Sequence, residues 1–222
     1  MKKFAVIGNP IKHSLSPALH NWVFKSLGID AEYEKKRVFQ NQLAGIISDL
    51  HCGKLDGINV TIPHKENIMQ YLDEINPRAK SIGAVNLIMK NGNKLVGNNT
   101  DWFGITMALK KNGIDPSGKE VIVLGAGGAA RSIIFAIKQS GVKKIVLLNR
   151  TLQKAEKLHD EIVFPSSLED SVMVIKNDSI IINTTSVGMQ SEQSPIDLGL
   201  LHENQVLIDV IYTPLETTFL KF

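Results

Sequence analysis

The chain has 222 residues, which at about 150 residues per domain leaves room for one large or two small domains and none for a long modular array. Apolar residues make up 43% and charged residues 21%, a globular composition that excludes bulk disorder. The formal charge of +3 comes from 25 Lys+Arg against 22 Asp+Glu, and Lys35-Lys36-Arg37 is the densest basic run, so no basic face for nucleic acid is expected.

Residues 4–7 predict a buried strand. Ser16 is expected to cap a helix with Pro17 at its first position and Gly28 past its end; Leu19, Trp22, Val23, Phe24 and Leu27 recur there at helical spacing. A strand at 33–38, a helix at 41–50, a strand at 57–61 and a helix around 66–72 follow. Residues 84–89 and 94–96 flank Asn91-Gly92-Asn93, a hairpin signal. This half reads as an α/β layer with mixed strand directions. In the second half, 121–124 is a continuous apolar strand, followed by a glycine turn and a helix to Ser140. Strands are expected at 145–148, 180–182 and 206–208, and a helix at 152–161. Buried strands alternating with helices imply a parallel sheet with right-handed crossovers. The expected fold is therefore α/β in two domains: an N-terminal domain with a mixed sheet over 1–101, and a Rossmann-like parallel-sheet domain over 102–222.

Cys52 is the only cysteine, which excludes a disulfide framework and a cysteine-based zinc site and suits a reducing, cytoplasmic setting. The apolar run behind Met1-Lys2-Lys3 is too short for a signal-peptide core. The longest weakly polar stretch, 121–137, holds Arg131 and three glycines and does not read as a membrane span.

The strand at 121–124 leads into Gly125-Ala126-Gly127-Gly128-Ala129-Ala130, which fits G-x-G-x-x-[GA] in the strand–turn–helix setting of a dinucleotide site. Gly125 permits the tight turn, Gly127 lets backbone approach a pyrophosphate, and Ala130 allows close helix packing. The helix N-terminus then faces the phosphates. The next strand ends in Asn149-Arg150-Thr151, with Lys154 a turn further, where an NAD site would carry an acid for the ribose 2′-hydroxyl. A guanidinium there suits a 2′-phosphate, so NADP is favoured.

Polar residues punctuate the first half at Ser14-Leu15-Ser16-Pro17, at residues 59–65, at Gly83-Ala84-Val85-Asn86 and at Asn98-Asn99-Thr100-Asp101. In chain order, S-x-S-P, N-V-T-x-P-x-K, G-A-V-N, N-T-D-x-x-G, G-A-G-G-A-x-R, N-R-T, N-T-T-S-V-G-M (183–189) and D-x-x-Y-x-P (209–214) together resemble the shikimate dehydrogenase family along essentially the whole chain. The resemblance implies an NADPH-dependent reduction of 3-dehydroshikimate to shikimate on the way to chorismate and the aromatic amino acids, by a monomer or homodimer. It implies that Ser14 and Ser16 hold the substrate carboxylate, and that Thr61, Lys65, Asn86 and Asp101 line the ring hydroxyls. Tyr212 matches another substrate contact. Lys65 and Asp101 are the implied catalytic pair, with Lys65 either moving a proton or acting as an electrostatic donor. Gly125, Ala126, Gly127, Gly128 and Ala129 would cradle the pyrophosphate. Asn149, Arg150, Thr151 and Lys154 would take the 2′-phosphate, and Val210 would approach the nicotinamide. No metal is implied. The family pattern also carries a G-x-x-M-L segment, a substrate-binding Gln and a returning helix beyond the point where this sequence stops. Two alternatives stay open: a quinate/shikimate enzyme using NAD, and a protein that binds NADP or shikimate without turnover.

Overall fold

Apolar strand residues of even and odd number point to opposite faces of a sheet. The computed structural model describes residues 1–221. It divides into two compact units, Met1–Thr100 and a second that begins at Asp101.

The first unit contains β1 (Lys2–Gly8), α1 (Ser16–Ser26), β2 (Ala31–Arg37), α2 (Leu43–His51), β3 (Gly57–Val60), β4 (Glu74–Ile75), α3 (Pro77–Ile82), β5 (Leu87–Asn91) and β6 (Lys94–Asn98). Its sheet runs β2-β1-β3-β5-β6-β4. The pairs β1–β2, β1–β3 and β4–β6 are parallel, and β3–β5 and β5–β6 are antiparallel, so the sheet is mixed. Asn91 pairs with Lys94 across the hairpin. Ala5, Ile7, Ile58, Val85, Ile88 and Leu95 bury one face against Leu43, Ile46, Ile47 and Leu50 of α2.

Three expectations for this unit change. Ser16 is the first residue of α1 rather than its cap, and Leu15, which precedes it, makes no capping bond with its side chain. The other end does close on Gly28 (φ 63°), whose N–H donates to Lys25 O while Ile29 N–H donates to Phe24 O, a paired bond that satisfies two late carbonyls. The apolar spacing along α1 marks only a narrow inward face: Trp22 is 68% exposed and Leu19 and Leu27 are exposed too, whereas Val23 and Phe24 are half-buried and Phe24 packs against Val6, Ile11 and Tyr33. α1 is fastened by Phe24, which packs on Phe4 at 5.8 Å between ring centroids, and by polar bonds. The Asn21 amide donates to Tyr33 O (2.8 Å) and accepts from Tyr33 N–H (2.8 Å), satisfying both backbone groups of a residue on edge strand β2. Near residues 66–72 the expected helix is a 3-10 turn, Asn67–Tyr71.

The second unit contains α4 (Asp101–Lys111), β7 (Glu120–Leu124), α5 (Gly128–Gln139), β8 (Lys144–Asn149), α6 (Leu152–Glu156), β9 (Val163–Ser167), α7 (Ser171–Val174), β10 (Ile180–Asn183) and β11 (Val206–Asp209). All pairs in its sheet, β11-β10-β7-β8-β9, are parallel. Both faces are covered. Val121, Val123, Ile145, Leu147, Ile180 and Ile182 pack with Ile133 and Ile137 of α5, whereas Ile122, Leu124, Val146, Leu148 and Ile181 pack with Ile196, Leu201 and Phe219 on the other face. That is why these strands read as unbroken apolar runs.

The helix expected at 152–161 stops at Glu156, because the Asp160 carboxylate accepts from Ile162 N–H (2.9 Å) and Val163 N–H (3.0 Å) and turns the chain into β9. No strand was expected at β9. It contains Pro165, which lacks a donor and is tolerated because β9 is an edge. Among the described residues no helix is long and apolar enough to cross a membrane.

Phe219 is fully buried under the second face of the parallel sheet. Phe219→Ala is expected to lower the unfolding free energy by about 3–5 kcal/mol. Trp22→Ala is expected to cost about 1 kcal/mol or less, as for a surface substitution. Denaturant melts of both variants check the contrast, and equal losses would contradict the burial pattern.

Candidate functional site

In the first unit the expected site residues stand at the ends of strands and in the loops that follow them. Ser14 lies in the loop after β1 and is buried; its Oγ accepts from Ser16 N–H at 3.4 Å. Thr61 directly follows β3 and donates its N–H to Ile7 O (2.9 Å). Asn9 N–H donates to Ile62 O (2.8 Å), so the loop after β1 lies against the loop after β3. Lys65, half-buried, closes that second loop, and its carbonyl accepts from Val85 N–H (2.8 Å). Asn86 is 7% exposed. Its Nδ2 donates to Thr100 Oγ1 (3.0 Å) and its Oδ1 accepts from Thr100 N–H (2.9 Å), which fixes the amide plane. The unit thus brings Thr61, Lys65 and Asn86 onto adjoining segments.

Other residues hold this arrangement without having been singled out from the sequence. The Tyr33 hydroxyl donates to Asn59 Oδ1 (2.6 Å), and Asn59 Nδ2 donates to Asn86 O (3.2 Å). His20 stacks on the Tyr33 ring at 4.3 Å. Burial pushes the Tyr33 phenol well above its ordinary value and pulls the His20 imidazole below its own. His64, fully buried, donates from Nε2 to Val38 O (2.7 Å) and pegs the loop before Lys65. Asn59 and His64 sit inside the N-V-T-x-P-x-K run, so spacing marked the segment but not their work. Tyr33 looked like an ordinary strand residue.

Asp101 and Tyr212 fall in the second unit. Asp101 is the first residue of α4, and Tyr212 is exposed in the segment after β11. The glycine turn leaves β7, the central strand, between β10 and β8. Strand order reverses at this position, and ligands of open parallel sheets bind at the carboxyl ends of the strands there. Gly125 has φ 100°, and a β-carbon on it would lie 2.8 Å from Thr184 Oγ1 and 3.0 Å from Thr185 Cγ2. The Thr184 hydroxyl is itself fixed, donating to Leu124 O (2.6 Å). Beyond it Gly127 is exposed, and a β-carbon there would meet nothing within 4 Å.

Gly127 precedes the first turn of α5, and Gly128 and Ala129 open the helix. This is a bare-backbone cradle at a helix N-terminus, and it fits a pyrophosphate. Ala126 lines the buried side of the turn. Asn149 ends β8 and donates from Nδ2 to Thr151 O (2.7 Å); Arg150, Thr151 and Lys154 are exposed beside it. Val210 follows β11 and donates its N–H to Asn183 O (3.1 Å). These positions fit the phosphate-bearing parts of a dinucleotide. Among the described residues no three His, Cys, Asp or Glu side chains gather to hold a metal ion.

Comparison with known proteins agrees along the whole chain. The family model described as shikimate dehydrogenase substrate binding domain matches residues 6–88, and the one described as shikimate / quinate 5-dehydrogenase matches residues 106–209. A shikimate dehydrogenase (NADP(+)) from Nitrosopumilus maritimus is 41% identical over 227 residues, covering 99% of this chain and 83% of that protein. One from Bacillus cytotoxicus is 42% identical over 225 residues, covering 98% and 81%. The crystal structure of a Thermus thermophilus shikimate 5-dehydrogenase in complex with NADP(H) and shikimate superposes with a TM-score of 0.85 at 37% identity, covering 100% of this chain and 83% of that one.

Two outcomes test the site's construction. Gly125→Ala is expected to lose dinucleotide binding and to melt earlier, because both the positive φ and the Thr184 contact forbid a methyl group; wild-type melting would contradict the close approach. For His20 the sign follows from its lowered folded value. The unfolded chain binds the proton more readily, so His20's contribution is complete above about pH 6.5 and declines as pH falls below it. His20→Phe is expected to flatten that part of the stability–pH curve, and an unchanged slope would contradict the assignment.

Proposed function

This chain belongs to the shikimate dehydrogenase family, and from that premise we propose that it interconverts 3-dehydroshikimate and shikimate with NADP(H) as cofactor. The observation that carries the choice of cofactor is the end of β8, where exposed Arg150 stands and no acid precedes Glu156. A guanidinium there attracts a 2′-phosphate, whereas a carboxylate would repel it.

The first unit takes the substrate. The Ser14 and Ser16 hydroxyls donate to its carboxylate, and Thr61, Lys65 and Asn86 meet the ring hydroxyls; Asp101 and Tyr212 are the family's other substrate positions. Gly125, Ala126, Gly127, Gly128 and Ala129 hold the pyrophosphate, and Asn149, Arg150, Thr151 and Lys154 hold the 2′-phosphate. Val210 borders the nicotinamide. When bound, NADPH supplies the hydride and NADP+ accepts it. Lys65 gives a proton to the ring oxygen in reduction and withdraws it in oxidation. Asp101 is the acidic member of the proposed catalytic pair. Asn86 cannot swing, because Thr100 holds both ends of its amide, so it presents one fixed hydrogen-bonding edge to the ring. Residues 1–101 carry the substrate positions other than Tyr212, and the remainder carries the cofactor positions. The reaction belongs to the cytoplasm, needs no nucleic acid or membrane, and suits a monomer or homodimer.

A dehydrogenase assay with shikimate, run in parallel with NADP and NAD, tests the reading. Arg150→Ala is expected to weaken NADP by about ten- to a hundredfold, the worth of a charged hydrogen bond at roughly 1.5–3 kcal/mol, and to leave NAD nearly unchanged. Equal losses for the two cofactors would contradict the 2′-phosphate assignment. Lys65→Ala is expected to lower kcat by about a hundredfold with a smaller effect on KM. Near-parental turnover would remove Lys65 from the chemistry.

A further inference from the structure

At the carboxyl edge of the parallel sheet one carboxylate gathers more bonds than the strand ladder needs. Asp209 is the last residue of β11, and its backbone already pairs with Asn183 of β10. Its side chain adds three bonds. Oδ1 accepts from Asn183 Nδ2 (3.1 Å) and from Ile211 N–H (2.9 Å), and Oδ2 accepts from Thr217 Oγ1 (2.7 Å). Thr217 is fully buried. Asn183 continues the chain of bonds: its Oδ1 accepts from Thr185 N–H (3.0 Å) and Thr185 Oγ1 (2.8 Å). Thr185 and Thr184 are the residues that crowd Gly125. An unbroken path therefore runs from Thr217 through Asp209, Asn183 and the two threonines to the glycine turn.

We propose that Asp209, locked by Thr217, is a positioning residue that aims residues 210–212 at the nicotinamide end of the site. This rests on the reading above, in which Val210 borders the nicotinamide and Tyr212 the substrate. Two features separate aiming from mere support. The sheet pairing at Asp209 is complete without the side chain. The added bonds go instead to Ile211, between Val210 and Tyr212, and to Asn183, whose carbonyl takes the Val210 N–H (3.1 Å). A carboxylate accepting three donors holds them more firmly than a neutral group would. Rigid support of this kind sets how accurately contacting groups are placed.

The test uses the full chain with three substitutions. Thr217→Val removes the hydroxyl and keeps the shape, Thr217→Ser keeps the hydroxyl, and Asp209→Asn keeps the shape and removes the charge. Each is measured for kcat, for KM of shikimate, and for dissociation constants of NADP and of 2′-phospho-ADP-ribose, which lacks the nicotinamide. The expected result is a fall in kcat of about tenfold for Thr217→Val, matching the loss of one hydrogen bond. NADP should weaken several-fold, 2′-phospho-ADP-ribose should bind as in the parent, and Thr217→Ser should restore the parental values. Parental kcat in Thr217→Val would overturn the proposal. So would equal weakening of the two ligands, which is the mark of a merely loosened fold. If Thr217→Val does not fold, Asp209→Asn is judged by the same measurements, and if neither folds, Asp209 is a folding residue and the proposal falls. A parent chain that binds neither ligand would instead overturn the cofactor reading itself.

Discussion

Where β7 ends, a β-carbon on Gly125 would lie 2.8 Å from the Thr184 hydroxyl, closer than such atoms pack. The missing side chain lets the ends of β7 and β10 close on each other while φ turns to 100° and the chain swings into α5. Everything assigned to the cofactor follows from that approach. Thr184 bonds Leu124 O, Thr185 bonds Asn183, and Asn183 ties β10 to Asp209 at the end of β11. A methyl group at residue 125 would push on this series at its first link. The surrounding parallel sheet, sealed by apolar side chains on both faces, leaves its carboxyl edge as the place where polar groups collect.

The first unit solves a different problem with the same rule, that buried polar groups must find partners. Its mixed sheet leaves β2 as an edge, and Asn21 supplies the two bonds that a further strand would have made. Tyr33, on that strand, sends its hydroxyl inward to Asn59, and Asn59 reaches the Asn86 carbonyl. Asn86 in turn is held by Thr100, next to the residue at which the second unit begins. In the proposed reading, a substrate hydroxyl arriving at Asn86 would meet an amide that has already lost its rotational freedom, so little further ordering would be needed on binding.

Much of this was legible in the sequence for one physical reason: burial on both faces removes the polar alternation from a strand. Residues 121–124, 145–148 and 180–182 therefore announced a parallel sheet, and Gly125 to Ala130 could be placed on its turn. The mixed sheet was legible as a class, with the hairpin at Asn91 marked by its turn residues. Legibility failed where tertiary bonds override local pattern. The spacing of Leu19, Trp22, Val23, Phe24 and Leu27 suggested a broad apolar face, yet Leu19, Trp22 and Leu27 are exposed and α1 is fastened by Phe24, Asn21 and His20. Pro165 hid an edge strand, and Asp160 ended a helix that propensity would have continued. Polar partners were the least visible. Asn59, Asn183 and Asp209 lay within recognisable motifs, but no local feature of the sequence says which atoms they bond, since Tyr33, Asp209 and Thr217 meet their partners only in the fold.

The central claim is that Ser14, Thr61, Lys65 and Asn86 of the first unit recognise the substrate, and that the glycine turn and Arg150 of the second recognise the cofactor. Amide chemical-shift mapping on the labelled chain, titrated separately with shikimate and with NADP, tests it most directly. The account predicts that shikimate alone moves the signals of Ser14, Thr61, Lys65 and Asn86 and leaves those of Gly127, Gly128 and Arg150 in place, and that NADP alone moves the latter set. Shikimate that leaves the first set unmoved, or NADP that leaves the glycine turn unmoved, would contradict it.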